Sequence, residues 1–276
     1  REGDTRAVSP GPRDANAARA NVHVSLTITV RNRIDTLSVQ GVASAATTVL
    51  LDENTRLHPV GLLSSGGADT PLIGSVFYLR RALAPLSDLH EGTLDALLSR
   101  PLSVLIAPDG TLAGAQSQKT VQEWIKNGGT LIRFAGPALA GSQQDTSPSN
   151  PADTARNLLP VPLLDGARQL GGSMTWGTPQ KLAPFEQESP FRGLDIPADV
   201  TVSRQVLASP SADLGTHVWA RLADGTPLVT HAELGKGEVI LFHVSSTADW
   251  SNLPLSGLFV AMLQRLTEHA NGLNIP

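Results

Sequence analysis

The chain has 276 residues, with 21 Lys and Arg against 25 Asp and Glu and no cysteine. This length accommodates one large domain with an appendage, and a nearly balanced charge without a basic run argues against a nucleic-acid partner. The absence of cysteine excludes disulfides, thiolate metal sites and a cysteine nucleophile. No apolar run approaches the roughly 18 residues that a membrane span requires, so direct membrane insertion by this chain is not expected.

The first part of the chain is predicted to be a flexible lead-in followed by a small β appendage. Residues 1–20 contain several Pro, Gly and Arg but almost no large apolar side chain, which is typical of a flexible segment. Residues 21–30 alternate strictly between apolar and polar positions, the pattern of a half-buried strand, and further strands are predicted at Ile34–Gln40 and Ala45–Asp52. We assign residues 21–55 to this appendage, which is too small to be stable alone.

From residue 56 onwards, short apolar runs alternate with amphipathic segments, as in a doubly wound α/β domain. Val60–Ser64 is predicted as the first strand, and it leads into the glycine-rich segment Ser65–Gly67. A plain turn is favoured there over an anion site, because neither phosphate-binding glycine spacing is present. The elements predicted next are a helix that begins with Thr70 as N-cap and runs to Leu83, a strand at Leu86–His90 and a short helix at Thr93–Leu98.

The clearest unit is a strand, helix and strand between Ser103 and Gly136. Ser103–Ala107 is a short unbroken apolar run, which indicates a buried parallel strand. Gln116–Asn127 has its apolar residues on one helical face and ends at Gly128-Gly129, and Thr130–Phe134 is the second strand. Two parallel strands joined by a helix predict an α/β fold with a mostly parallel sheet flanked by helices.

The second half of the chain is predicted to contain an irregular insertion followed by antiparallel strands. The insertion covers about residues 138–200, with a surface loop at Ala140–Ala155 and one strand near Gly172–Trp176. The later elements are strands at Val200–Leu207, Val218–Leu222, Pro227–His231 and Val239–Val244, joined by hairpin turns, and a closing helix with the apolar residues Leu255, Leu258, Phe259, Met262, Leu263 and Leu266 on one face.

Candidate site residues follow the predicted strands, because doubly wound sheets place their sites at the carboxyl ends of strands. Four polar residues qualify, namely Asp109, His243, Ser245 and Asp249. They either form a small polar pocket or have local roles, such as an Asx turn at Asp109 and a helix cap at Asp249, and the local roles are favoured. The seven His residues show no His-x-x-x-His or His-Glu-x-x-His spacing, so neither a metal nor another cofactor is expected.

Several strings of the sequence resemble one family. They are Arg31-Asn-Arg-Ile34, Pro59-Val-Gly-Leu62, Tyr78-Leu-Arg-Arg-Ala-Leu-Ala-Pro85, Asp224-Gly-Thr-Pro-Leu228 and Trp250-Ser-Asn-Leu-Pro-Leu-Ser-Gly-Leu-Phe259. These strings resemble the amidotransferase-like domain of large bacterial membrane proteins that have a Bat-type N-terminal anchor and a C-terminal domain of unknown function. The resemblance implies a class I glutamine amidotransferase-like, flavodoxin-like fold over residues 56–276. It also implies an extracytoplasmic (periplasmic) location and partners among the other domains of the same membrane protein or another protein.

The amidotransferase triad can be tested residue by residue through this resemblance. Active members carry a Cys in a turn after a strand, and the matching turn Phe134–Ala138 has no nucleophile. Their His and Glu belong to a Phe-His-Pro-Glu string, which Leu241–Ser245 matches with His243 kept and Ser245 in place of Glu. His231-Ala-Glu233 also reads His-x-Glu, but it lies on the wrong strand.

Without a nucleophile or an orienting carboxylate, a histidine cannot carry out acyl transfer. A non-catalytic pseudoenzyme domain with a structural or protein-interaction role is therefore expected. The alternative is a small-ligand-binding domain or a hydrolase of altered mechanism that uses Asp109, His243, Ser245 and Asp249. The oligomeric state is left open.

Overall fold

A computed structural model describes residues 34, 36–38, 48–50, 59–64, 74–85, 87–112, 114–141, 158–170 and 178–270. The chain divides into two compact units, residues 1–57 and residues 58–276. The predicted lead-in, the strands predicted at residues 21–30 and 172–176, the turn at residues 65–67 and most of the loop predicted at residues 140–155 lie outside the described residues.

In the first unit, two short strands form an antiparallel pair. Strand β1 is Thr36–Ser38 and strand β2 is Thr48–Leu50, and Leu37 lies opposite Val49. Both strands fall within the predicted strands at residues 34–40 and 45–52. All six residues are exposed, including Leu37, Val49 and Leu50.

The second unit contains eleven strands and five α-helices in its described residues. The strands are β3 Pro59–Leu63, β4 Asp88–Gly92, β5 Val104–Ala107, β6 Thr130–Phe134, β7 Arg168–Gln169, β8 Gln180–Lys181, β9 Thr201–Val202, β10 Arg204–Gln205, β11 Val218–Arg221, β12 Pro227–Leu234 and β13 Gly237–Phe242. The α-helices are α1 Ser75–Leu83, α2 Leu94–Leu98, α3 Ala115–Lys126, α4 Pro137–Ala140 and α5 Gly257–Ala270, and 3₁₀ turns lie at Leu214–His217 and Leu253–Leu255.

Seven of the strands form one mixed sheet in the order β11-β12-β13-β6-β5-β3-β4. Strands β13, β6, β5, β3 and β4 run parallel to one another, whereas β12 is antiparallel to both β11 and β13. The predicted α/β fold with a mostly parallel sheet is therefore confirmed. Taken in chain order, the five parallel strands are arranged 2-1-3-4-5, one of the two common doubly wound orders.

Helices cover both faces of this sheet, and β5 shows how the sequence specifies this. Successive strand residues point to opposite faces. Val104 and Ile106 pack in one cluster with α1 and α5, whereas Leu105 and Ala107 pack in a second cluster with α2 and α3. Because both faces are buried, β5 is an unbroken apolar run rather than an alternating one.

Three predicted elements are corrected by the structure. Helix α1 begins at Ser75 with the extended Gly74 as its N-cap, so it does not reach back to the predicted start at Thr70, a residue that lies outside the described residues. Helix α5 begins at Gly257, so Leu255 lies before it in a 3₁₀ turn and is 63% exposed. The strand predicted at Val200–Leu207 is two separate strands, since the backbone N–H groups of Ser203 and Arg204 both bind the carbonyl oxygen of Trp250 and interrupt the ladder.

Candidate functional site

The carboxyl ends of β5, β6 and β13 lie side by side and form the crevice in which the sequence predicts a site. Asp109 follows β5, Ala135 and Gly136 follow β6, and His243 follows β13. The parallel register of these neighbouring strands places the three loops at one edge of the sheet. The side chains that reach into this edge decide whether it can perform chemistry.

Asp109 uses both of its carboxylate oxygens to cap helix α4. The backbone N–H of Ala138 donates to Oδ2 at 2.7 Å, and the N–H of Leu139 donates to Oδ1 at 3.0 Å. Burial raises the pKa of Asp109, and the two N–H donors and the charge of Arg133 oppose that rise. The side chain therefore joins the loop after β5 to the loop after β6, in place of the predicted Asx turn.

Arg133 is a buried charge beside this cap that sequence reasoning missed. It lies on β6 opposite Ala107, is 6% exposed, and donates from Nη1 to the carbonyl oxygen of Leu158 at 2.9 Å. Burial lowers the pKa of Arg133 to about 10, whereas the Asp109 carboxylate acts in the opposite direction. The guanidinium remains charged at neutral pH and favours the ionised form of Asp109.

His243 is enclosed and has both ring nitrogens occupied. The residue is 0% exposed, with Nδ1 lying 2.8 Å from the carbonyl oxygen of Val206 and Nε2 lying 3.0 Å from the hydroxyl of Thr230. Burial lowers the pKa of His243 to about 4, with the Val206 carbonyl opposing that effect. The ring is therefore neutral at pH 7, donating from Nδ1 and accepting at Nε2. It has neither solvent access nor a free nitrogen with which to act as a base.

Ser245 and Asp249 are the two predicted site residues that the fold brings together. The Ser245 hydroxyl donates to Asp249 Oδ1 at 3.0 Å, and the Thr247 hydroxyl donates to the same oxygen. Ser245 is 5% exposed whereas Asp249 is exposed, so this cluster extends from a buried hydroxyl to the surface of the loop after β13. Asp109 and His243 are engaged with other groups, and the four candidates do not form one pocket.

The turn after β6 is not the nucleophile turn of an active amidotransferase. Its residues Ala135, Gly136 and Pro137 carry no nucleophilic side chain. Gly136 has φ of 178°, which is ordinary extended backbone, and helix α4 starts at the next residue. The structure thus has a short capped helix where an acyl-transfer enzyme needs an exposed nucleophile.

A second group of polar side chains lies at the opposite, amino-terminal end of β6 and β13. It borders a cavity of about 390 Å³ that is lined by Gly128, Thr130, Glu233, Gly235, Lys236, Gly237, Glu238, His269 and Ala270. Glu238 accepts hydrogen bonds from His231 and His269, and Trp219 stacks on His231. We call His231, Glu238, His269 and Trp219 the amino-end cluster.

Two features are absent from the described residues. Within the described part of the chain, no three His, Asp or Glu side chains are grouped so that they could hold a metal ion. None of the described helices combines the length and apolar character needed to cross a bilayer.

Comparison with known proteins identifies the fold but no family, since no protein-family model and no curated protein matches the sequence. The cytoplasmic protein STM3548 from Salmonella typhimurium is similar in structure, with a TM-score of 0.54, 15% identity, and coverage of 77% of this chain and 98% of that one. The cytoplasmic protein STM1381 from Salmonella typhimurium LT2 is also similar, with a TM-score of 0.53 and 13% identity. The match covers 79% of this chain and 100% of that one.

A catalytic mutant of the GH42 β-galactosidase Gan42B from G. stearothermophilus is also similar, with a TM-score of 0.50 and 14% identity. The match covers 79% of this chain but 31% of the β-galactosidase chain. At these identities the likeness concerns the fold alone.

The structural neighbours correct the predicted location. An extracytoplasmic, periplasmic position was expected from the sequence resemblance, but STM3548 and STM1381, which share the fold, are both described as cytoplasmic proteins. The expectation of a periplasmic location is therefore wrong on this comparison, because the fold does not mark an extracytoplasmic domain.

Proposed function

We propose that this chain is a non-catalytic, amidotransferase-like α/β module with a structural or protein-interaction role. The observation that carries the proposal is the state of the crevice at the carboxyl ends of the strands. Both carboxylate oxygens of Asp109 are used as a helix cap, and both nitrogens of the fully buried His243 are hydrogen-bonded. Groups engaged in this way support the fold and are not available to a substrate.

The resemblance to the amidotransferase-like domain of Bat-type membrane proteins supplies a context for this module. In that context its partners are the other domains of the same membrane-anchored protein, or another protein. The fold likeness fits a module within a larger chain, because the matching region makes up 31% of the β-galactosidase chain. It also fits a separate protein, because STM3548 is covered over 98% of its length.

The experiment that tests the absence of catalysis is an assay of the purified chain for glutaminase and esterase activity. We expect turnover equal to buffer for the wild type and for Ser245→Ala and Asp249→Asn. Turnover above buffer that disappears with either of these substitutions contradicts the proposal. A substitution at His243 is less informative, because that residue is buried and its loss affects folding.

The positive role is tested by size-exclusion chromatography of the chain mixed with the other domains of the Bat-type protein proposed to carry it. Co-elution supports the interaction role. Separate elution at concentrations of roughly 100 μM, where even weak domain contacts are populated, contradicts it.

The alternative, a small-ligand-binding domain or a hydrolase of altered mechanism, has one observation in its favour. Ser245 and Asp249 are in contact at a strand end, as a hydroxyl and a carboxylate of such a site would be. However, no histidine is within the cluster that Ser245, Thr247 and Asp249 form, and Asp249 is exposed. A change of melting temperature with small acids, amides or esters that is lost in Ser245→Ala would favour this alternative.

A further inference from the structure

The C-terminal end of helix α5 contacts the sheet through the carboxylate of Glu238. Glu238 Oε1 lies 2.8 Å from His231 Nδ1, and Glu238 Oε2 lies 3.2 Å from His269 Nε2. His231 belongs to β12, Glu238 to β13 and His269 to α5, so three elements meet at one side chain. The Glu238 side chain is 14% exposed and the His269 side chain is 46% exposed, so solvent partly screens the contact between them.

Trp219 on strand β11 packs against both histidine rings. It is stacked on the His231 ring with centroids 3.9 Å apart and an interplanar angle of 14°. It meets the His269 ring edge to face, with centroids 5.1 Å apart and an angle of 84°. His217 Nδ1 lies 3.0 Å from the backbone oxygen of His231, so the 3₁₀ turn Leu214–His217 also contacts β12. The rings are therefore held by packing as well as by Glu238.

The titratable side chains near His269 lie on two strands and on the turn between them. Strand β12 supplies His231 and Glu233, the turn before β13 supplies Lys236, and β13 supplies Glu238. Glu233 and Lys236 are exposed, and Glu238 is the charged group that acts on the pKa of His269. Among the described residues, Glu238 is the carboxylate within ion-pair distance of His269. The helix dipole adds to it, since a cation is favoured in the last turn.

We propose that His269 and Glu238 form a proton-dependent latch that holds the end of helix α5 on the sheet and closes one wall of the adjoining cavity. Glu238 and His269 both line that cavity. Release of the helix end therefore removes part of its wall. The latch is a property of the amino-terminal edge of the sheet and is separate from the crevice at the carboxyl ends.

The sign of the pH dependence follows from the two groups. The hydrogen bond to Glu238 raises the pKa of His269, so its stabilising charge is present in full below about pH 6.5 and is lost as the pH rises through its folded pKa. Burial alone would raise the pKa of Glu238, but the hydrogen bonds from both histidines outweigh it and hold that pKa low.

The stability that ionised Glu238 contributes is therefore present above about pH 4.3, the pKa of this group in the unfolded chain. It is lost as the pH falls through the lower pKa of Glu238 in the folded chain. The latch is tightest between about pH 5 and 6.5 and loosens towards pH 8. A neutral imidazole still donates from Nε2, so the loosening is the loss of charge rather than of the whole hydrogen bond.

The first test is hydrogen exchange at the amides of Gln264–Ala270 in the full chain, expressed as protection relative to the intrinsic exchange rate. We expect opening of this helix end to increase roughly threefold or more between about pH 5.5 and pH 8 in the wild type. His269→Gln should abolish this increase. The matched control is His90→Gln, because His90 lies 3.3 Å from Asp88 on β4, at the other edge of the sheet, and should behave as the wild type. Protection that is independent of pH in the wild type, or an equal pH dependence in His269→Gln, overturns the latch.

A second measurement starts from the wild type, so its first result does not require any variant to fold. The ring protons of His269 in the wild type, followed by NMR through a pH titration, should give a midpoint above about 6.5. The midpoint should return towards that value in Glu238→Gln, which keeps the shape of the side chain but removes its charge. A wild-type midpoint at or below about 6.5 contradicts the proposal.

Discussion

The Asp109 carboxylate occupies the position where a β-carbon of residue 136 would stand. A side-chain carbon built at Gly136 would overlap with the carboxylate of Asp109, which follows the neighbouring strand. Since Gly136 is in extended backbone that any residue adopts, this close approach and not the backbone angle requires glycine. The approach is also what brings Asp109 within reach of the N–H groups of Ala138 and Leu139.

Substitution of Gly136 by Ala is expected to reduce the free energy of unfolding by about 1–3 kcal/mol, the range for overpacking a closed position. The added methyl group displaces the Asp109 carboxylate and weakens its cap on α4. Urea denaturation of the wild type and the variant, with the slope compared to confirm a two-state transition, measures the change.

Asp109→Ala is expected to cost about 1–2 kcal/mol, because it removes the acceptor for two helix N–H groups. Combined with Gly136→Ala, the loss should be smaller than the sum of the two single losses, since the overlap no longer exists once Asp109 is gone. The control is Asp195→Ala, an exposed carboxylate, which should change stability by less than about 0.5 kcal/mol. Strict additivity of the two changes would mean that Asp109 and Gly136 do not interact.

The start of helix α5 can be tested with a matched pair of leucines. Leu255 is 63% exposed before the helix, whereas Leu258 is 3% exposed within it. Leu258→Ala should destabilise the chain by about 2–4 kcal/mol, and Leu255→Ala by less than about 0.5 kcal/mol. Equal losses at both positions, measured by thermal or urea unfolding, would restore the prediction that Leu255 belongs to the apolar face of this helix.

The parallel core was predictable because burial on both faces leaves a direct mark on the sequence. Ser103–Ala107 is a short apolar run and Thr130–Phe134 is predicted as the next strand, and the observed β5 and β6 fall within them. The same reasoning overlooked Arg133 inside β6, since a charged residue in a strand is ordinarily placed at the surface. Its burial depends on the carbonyl oxygen of Leu158, 25 residues further along the chain. No sequence pattern near Arg133 predicts a partner so far along the chain.

The candidate site was predictable in place but not in role. Asp109 and His243 do follow strands at the carboxyl edge of the sheet, as the position of sites in such folds suggested. Their roles are set by Ala138, Val206 and Thr230, which belong to a short helix, an irregular segment and the neighbouring strand β12.

The contact between His231 and Glu238 could, in contrast, have been predicted from the register of the β12–β13 hairpin. His231 pairs with Ile240 and Glu233 with Glu238, which makes His231 and Glu238 diagonal neighbours across the two strands. The string His231-Ala-Glu233 suggests Glu233 as the carboxylate beside His231, whereas the register of the two strands predicts Glu238.

The last prediction concerns His243 and the stability of the chain in mild acid. Because burial lowers the pKa of His243 to about 4, the folded chain keeps this ring neutral while the unfolded chain protonates it below about pH 6.5. The stability associated with the neutral ring is complete above about pH 6.5 and is lost as the pH falls towards the folded pKa. The loss amounts to about 2–3 kcal/mol by about pH 4.5.

Other groups titrate in the same pH interval, among them His269 and Glu238. The quantity to measure is therefore the difference in the free energy of unfolding between the wild type and His243→Gln. At pH 7 the variant should be less stable by about 1–3 kcal/mol, since glutamine does not reproduce both hydrogen bonds, to Val206 and to Thr230. Towards pH 4.5 the gap should close or reverse, because the variant has no ring to protonate. A gap between the wild type and His243→Gln that stays constant from pH 7 to pH 4.5 would mean that His243 is protonated as readily in the folded chain as in the unfolded one, and hence that the ring is not enclosed.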